Sequence, residues 1–300
     1  MKRSRVAISG VTSRPPATAL AIWRPRQAKI RSSANAISSA TTIATAAPTQ
    51  SLVVVAASAV PASRAVMGGE TNAVLLDAMG TLLGFGDPAP RLRAALRGRL
   101  RIEVPDADAR AALRAEIAFY RAHLHLGRDA VSLAALRARC AEAMRPALGP
   151  PAADAPVADL VAVLLDALAF TAYPDSAPAL RALRAAGLRL VVVSNWDASL
   201  HERLQETGLA ELVDGAVASA ELGAAKPDGA MFARGLALAG ASAATAWHVG
   251  DSVAADVEGA LAAGIRPVLI SRDGRAEPPP GVPLIRGLDA LPGLIAAGGP

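Results

Sequence analysis

The chain of 300 residues holds a single cysteine, Cys140. One thiol closes no intrachain disulfide and builds no cysteine zinc cluster, so the expected setting is reducing and the expected location cytoplasmic. No stretch reaches the roughly 18–20 uninterrupted apolar residues of a membrane-spanning helix, so no membrane partner is expected. Acidic residues are missing altogether from positions 1–69, which hold nine of the 31 basic residues. The formal net charge of +5 therefore belongs to that stretch, and the other 231 residues carry 22 basic against 26 acidic side chains. A body with that balance has no basic face for phosphate backbones, which excludes nucleic acid as a partner. Lysine is scarce too: two of the three lie in the first 69 residues, and the rest of the chain uses 21 arginines and the single Lys226.

What is present is enough apolar material for a sizeable core, 52% of residues, which rules out collagen-like, mostly disordered and disulfide-stapled chains. Residues 1–70 are the exception. They are rich in Ala, Ser, Thr and Arg without sustained periodicity, and read as a disordered extension. Two origins remain open: a targeting segment, or a dispensable extension ahead of a true start at Met67.

From Asn72 the pattern sharpens. Ala73-Val-Leu-Leu-Asp77 is a short apolar run ending in an acid, the form of a buried parallel strand. Leu188–Val193, Ala246–Val249 and Ile265–Ile270 are further strand candidates. Between them, helical patterns at Ala177–Ala186, Ala198–Thr207, Gly229–Ala239 and Val253–Ala263 are each followed by glycine, the residue of a left-handed C-terminal cap. Strand alternating with helix predicts an α/β fold with a doubly wound parallel sheet. About a hundred residues separate the first strand from the second, and Arg91–Phe170 reads as amphipathic helices broken near Val104-Pro105, Gly127 and Gly149-Pro150-Pro151. The predicted division is a core of 71–87 and 172–300 with an inserted helical domain at 88–171, hinged at Gly84–Pro90 and Thr171–Asp175.

Ligands of an open parallel sheet sit beyond the carboxyl ends of its strands. There the sequence brings Asp77, Ser194-Asn195, Asp251 with Asp256, and Lys226 on a loop. A carboxylate nucleophile, two further acids, a lysine and a hydroxyl–amide pair form a set suited to phosphate chemistry with a divalent cation, and oxygen donors favour magnesium over zinc. Lys226 stands out because a compact ammonium can neutralise a carboxylate and a phosphoryl oxygen where the planar guanidinium is bulkier. Singly these residues also fit bland roles. Asp77 can make a turn, Asp251 and Asp256 can stabilise a helix start, and Ser194 and Asn195 can cap.

As an ordered set they resemble the haloacid dehalogenase-like (HAD) hydrolase superfamily. The resemblance is carried by Val74-Leu-Leu-Asp77-Ala-Met-Gly-Thr81-Leu, Val191-Val-Val-Ser194-Asn195, Lys226-Pro227 and His248-Val-Gly250-Asp251-Ser-Val-Ala-Ala-Asp256, with a helical cap after the first motif. It implies a Rossmann-like core and a magnesium-dependent phosphatase acting on a small phosphate ester through an aspartyl-phosphate on Asp77. In that assignment Lys226 supports catalysis, Thr81, Ser194 and Asn195 bind substrate, and Asp77, the Met79 carbonyl, Asp251 and Asp256 hold Mg2+. The expected assembly is a monomer or homodimer.

One departure is chemical. Where the family's phosphatases carry a second aspartate as general acid, this chain has Met79, whose thioether carries no proton. Protonation of the leaving group then falls to another acid, with Asp197 nearby, or becomes unnecessary for a good leaving group. Absence of that acid is also a dehalogenase trait, so carbon–halogen hydrolysis is the rival enzyme reading. Against it stands the intact Gly-Asp-x-x-x-x-Asp metal motif. A phosphonate-cleaving relative needs a lysine in the insertion, which has none. A non-catalytic binding protein on the same fold is the third reading. In the insertion, Phe119, Tyr120, His123, His125 and Arg128 are the candidates for substrate selection, with core packing as their alternative role. Trp196 and His248 read as packing beside the site.

Overall fold

Strand β1, Ala73–Leu76, is completely buried, as four consecutive apolar side chains require of a strand covered on both faces. Its side chains alternate between two cores. Val74 and Leu76 pack with Val192, Trp247 and Leu180 on one face of the sheet, Ala73 and Leu75 with Val191, Val193 and Phe232 on the other. The computed structural model describes residues 71–298; the expected disorder of residues 1–70 lies outside the described residues.

The strands that follow are β2 (Leu83–Gly84), β3 (Thr171–Ala172), β4 (Arg189–Ser194), β5 (Gly215–Ala218), β6 (Ala246–Gly250), β7 (Arg266–Ile270) and β8 (Leu284–Ile285). Six of them form one sheet in the order β5-β4-β1-β6-β7-β8, every pairing parallel. The sequence predicts β1, β4, β6 and β7. It misses β5, whose Gly-Ala-Val-Ala has too few large apolar side chains to read as a strand and is fixed by pairing Val191–Ser194 with Gly215–Ala218. It also misses the two-residue β8 and the antiparallel β2–β3 pair, the latter lying at the predicted hinges.

Between β2 and β3 run α1 (Ala89–Ala95), continued by a π-turn to Leu100, then α2 (Asp106–His123), α3 (Ala130–Leu148) and α4 (Val157–Ala167). The breaks fall at the predicted punctuation. α3 starts from a capping box in which Asp129 and Ser132 each bond the other's main-chain amide, at 2.8 and 3.0 Å. Apolar faces of these helices form a cluster of their own, including Leu92, Leu113, Met144, Leu160 and Leu164.

The sheet is covered by α5 (Ser176–Ala185), α6 (Leu200–Glu206), α7 (Ser219–Leu222), α8 (Gly229–Ala239), α9 (Glu258–Ala262) and α10 (Leu291–Ala296). All four glycines expected to end helices, Gly187, Gly208, Gly240 and Gly264, have positive φ. Two helix starts differ from expectation. α6 begins at Leu200, because the Asp197 carboxylate accepts from the Ser199 amide at 2.8 Å and holds Ala198 and Ser199 in a turn. Val253–Val257 is a π-turn rather than α-helix, with Ser252 Oγ accepting from Ala255 N. Among the described residues, no helix is long and apolar enough to cross a membrane.

Candidate active site

Strand order builds the site. β4, β1 and β6 are neighbours, so Asp77 after β1, Ser194 at the end of β4 and Asp251 after β6 emerge side by side at the carboxyl edge. After Asp77 the chain makes one tight turn in which the amides of Thr81, Leu82 and Leu83 converge on the Ala78 carbonyl, at 2.8–3.3 Å. The Met79 carbonyl stays outside this network. Gly80 turns the chain at φ +80°, and a Cβ there would collide with the Asp251 carboxylate. Gly250 is equally constrained, since its Cβ would overlap the Asp256 carboxyl group. Both glycines let main chain approach the acids at distances no other residue allows.

Lys226 lies at the centre, almost fully buried, with Nζ donating to Asp77 Oδ1 at 2.8 Å and to Asp256 Oδ1 at 2.5 Å. Ser194 Oγ donates to the same Asp77 oxygen at 2.9 Å. Two donors on Oδ1 fix the carboxylate plane and hence the direction of Oδ2. Asn195 uses both ends of its amide on the Lys226 main chain: Oδ1 accepts from Lys226 N at 2.7 Å and Nδ2 donates to Lys226 O at 3.0 Å. The residue that the sequence groups with substrate binding thus holds the lysine loop. Thr81 is fully buried, and its Oγ1 has no hydrogen-bond partner.

Asp256, counted from sequence with the metal ligands, has both oxygens engaged. Oδ1 takes Lys226 Nζ and lies 2.9 Å from His248 Nε2, and Oδ2 accepts from Ser252 N at 2.9 Å. Burial works to raise its pKa, but Lys226 and His248 outweigh it and hold the carboxyl below the usual range. Burial lowers the pKa of His248 against the opposing pull of Asp256. The lysine pKa is raised, because Asp256 and Asp77 overcome the burial penalty. Asp77 is pushed up by burial against the pull of Lys226. Asp251 is pushed up to about 8, by burial first and then by the charges of Asp77 and Asp256.

Three carboxylates thus face one ammonium, which hydrogen-bonds Asp77 and Asp256 directly, while the half-buried Arg121 interacts electrostatically with Asp251. Oxygens of Asp77, Asp251 and Asp256 lie within 4.8 Å of one another. An all-oxygen, over-negative cluster fits a hard divalent cation such as magnesium.

Asp197, the nearby acid, is 4% exposed and accepts at both oxygens: from Ser199 N and Oγ at Oδ1, and from Tyr120 Oη at Oδ2, 2.9 Å away. The expected substrate-selecting residues divide. Tyr120 reaches the core through Asp197, whereas Phe119 stacks on His123 at 4.1 Å under Arg139. His125 and Arg128 are exposed. Sequence reasoning passed over Arg121, half-buried on α2 and electrostatically coupled to Asp251, and Arg272 after β7. Arg272 had a usable signal, a charged residue at a strand's carboxyl end, but as one of 21 body arginines it did not stand out.

Residues 71–264 match the family model for haloacid dehalogenase-like hydrolases, and the chain belongs to that family. Among curated relatives, a phosphatase of Mycobacterium tuberculosis is 37% identical over 141 residues, covering 46% of this chain and 63% of that protein. The haloacid dehalogenase-like hydrolase domain-containing protein 3 of Bos taurus is 40% identical over 31% of this chain and 37% of its own length. A phosphoserine phosphatase of Thermus thermophilus is 36% identical over 38% of this chain and 46% of its own. The matches thus span less than two thirds of these relatives. Of solved structures, a HAD phosphatase from Thermococcus onnurineus aligns with TM-score 0.52 and 25% identity over 76% of this chain and 99% of its own. A 2-haloacid dehalogenase from Pseudomonas syringae aligns with TM-score 0.55 and 27% identity over the same shares.

Proposed function

We propose that this hydrolase is a magnesium-dependent phosphatase of small phosphate esters, with Asp77 as nucleophile. The observation that carries the reading is the Asp77 carboxylate itself, oriented by Ser194 and Lys226 on one oxygen beside the carboxylate of Asp251. In the reaction an Asp77 oxygen bonds to phosphorus as the ester P–O bond breaks, and the leaving oxygen departs with the bonding electrons as an alkoxide or phenolate that takes its proton from solvent. Water then attacks phosphorus of the aspartyl-phosphate, releasing inorganic phosphate and restoring Asp77. Lys226 neutralises the attacking carboxylate and the transferring group, and Ser194 and Thr81 offer hydroxyls to the phosphoryl oxygens. Asp77, the Met79 carbonyl and Asp251 would hold the metal, with Asp256 and His248 steadying Lys226 beside it. Bound magnesium supplies charge neutralisation at the phosphoryl group. The helical insertion acts as the cap that selects substrate.

Phosphatase-named relatives support the reading, as does retention of Asp251 and Asp256, which the resemblance denies to dehalogenases. The test is a panel of phosphate esters assayed alongside chloroacetate, with magnesium and with EDTA. Phosphate release abolished by EDTA is expected. Metal-independent chloride release would replace the reading with dehalogenation, and silence on both substrates would leave a binding protein.

A further inference from the structure

Arg272 follows β7 at the carboxyl edge of the sheet and binds separated stretches of chain with one side chain. Its Nε donates to Gly80 O at 3.2 Å and its Nη2 to Thr81 O at 2.6 Å, both on the turn that carries Met79. Its Nη1 and Nη2 also pair with both oxygens of Asp175, each at 3.0 Å. The guanidinium lies 3.7 Å over the Tyr173 ring. Asp175 in turn accepts from Leu288 N at 2.7 Å, Tyr173 N donates to Leu82 O at 3.0 Å, and Ser176 Oγ donates to Leu82 O at 2.8 Å. Tyr173 and Asp175 follow β3, where the chain returns from the helical insertion.

We propose that Arg272 is a positioning residue that locks the turn after Asp77 to the root of the helical insertion. The turn has little tolerance for movement, because Gly80 packs directly on the Asp251 carboxylate. Release of the Gly80 and Thr81 carbonyls would shift Asp77 and the Met79 carbonyl against Asp251. Only a planar fork can meet two carbonyls and a carboxylate at once while stacking on a ring. A lysine ammonium keeps the charge and loses that geometry. Arg266, at the other end of β7, stacks on Trp247 at 4.7 Å and bonds Thr71 rather than the Asp77 turn, which makes it the matching control.

The inference rests on the hydrolase reading for its kinetic arm and on none for its exchange arm. In the kinetic arm, Arg272→Lys and Arg272→Ala are compared with Arg266→Ala on nitrophenyl phosphate. A misplacement near 1 Å predicts that kcat falls about 10–100-fold for both Arg272 variants with KM within about threefold. Millimolar guanidinium is expected to restore part of the Arg272→Ala rate, and Arg266→Ala to keep wild-type kcat. In the exchange arm, backbone hydrogen exchange is expected to accelerate at residues 78–84 and 173–176 in both Arg272 variants and to stay unchanged in Arg266→Ala. Wild-type kcat in Arg272→Lys, or unaltered exchange in those two segments, would overturn the proposal. If the wild type itself turns over no phosphate ester, the phosphatase reading fails and the exchange result alone decides for or against the positioning role.

Discussion

Replacing Asp251 with asparagine tests the electrostatics of the cluster without disturbing its shape. Burial and the charges of Asp77 and Asp256 push the folded Asp251 carboxyl up to about 8, against about 4 in an unfolded chain. Between those values the folded state holds a proton that the unfolded state has released, so stability falls as pH rises through this window. Every pH unit crossed within it costs up to about 1.4 kcal/mol, and allowing for partial contact with water a penalty of about 2–4 kcal/mol remains at pH 8, against about 1 kcal/mol at pH 5. Asparagine carries no such penalty. Urea unfolding in EDTA should therefore find Asp251→Asn more stable than the wild type by that amount at pH 8, with the gap narrowing towards pH 5. Magnesium should reverse the order at pH 8, because it stabilises only the protein that keeps the ligand carboxylate. Parallel pH profiles for the two metal-free proteins would refute the claim that burial and the neighbouring carboxylates push Asp251 up.

Met79→Asp restores a carboxyl at the position where the family's phosphatases carry their acid, and should flatten the dependence of kcat/KM on leaving-group pKa by raising rates for alkyl phosphates more than for nitrophenyl phosphate. An equal slope in both proteins would mean that another group already donates the proton. Lys226→Met leaves Asp77 and Asp256 buried without their shared cation and should cost about 3–5 kcal/mol in urea unfolding at neutral pH; a loss below about 1 kcal/mol would contradict the central role of the ammonium.

The parallel sheet was legible because β1, β4, β6 and β7 are short, mostly apolar runs, and because glycines end the helices between them. β5 and β8 were not, since four small residues and two paired residues acquire strand geometry only from a neighbour. The site acids and Lys226 were visible as polar residues at strand ends. Their division of labour was not. Sequence groups Asn195 with substrate and Asp256 with metal, and Asp256 does lie in the carboxylate cluster with Asp77 and Asp251, but only distances reveal that Asn195 also braces the Lys226 main chain and that Asp256 also bonds Lys226 Nζ and Ser252 N. Asp197 has the sequence position of a substitute acid, and only the structure shows that Ser199 and Tyr120 hydrogen-bond its carboxylate. Arg272 and Arg121 went unseen because arginine is common throughout the body and their partners lie far away in the chain.

The central claim is covalent catalysis by Asp77. It is tested most directly by rapid acid quenching of the magnesium-loaded protein during turnover of nitrophenyl phosphate, followed by peptide mass spectrometry. The account predicts a phosphoryl group on the peptide containing Asp77, absent from a folded Asp77→Asn variant that releases no phosphate. Wild-type turnover by Asp77→Asn, or a phosphoryl group found only on another residue, would contradict it.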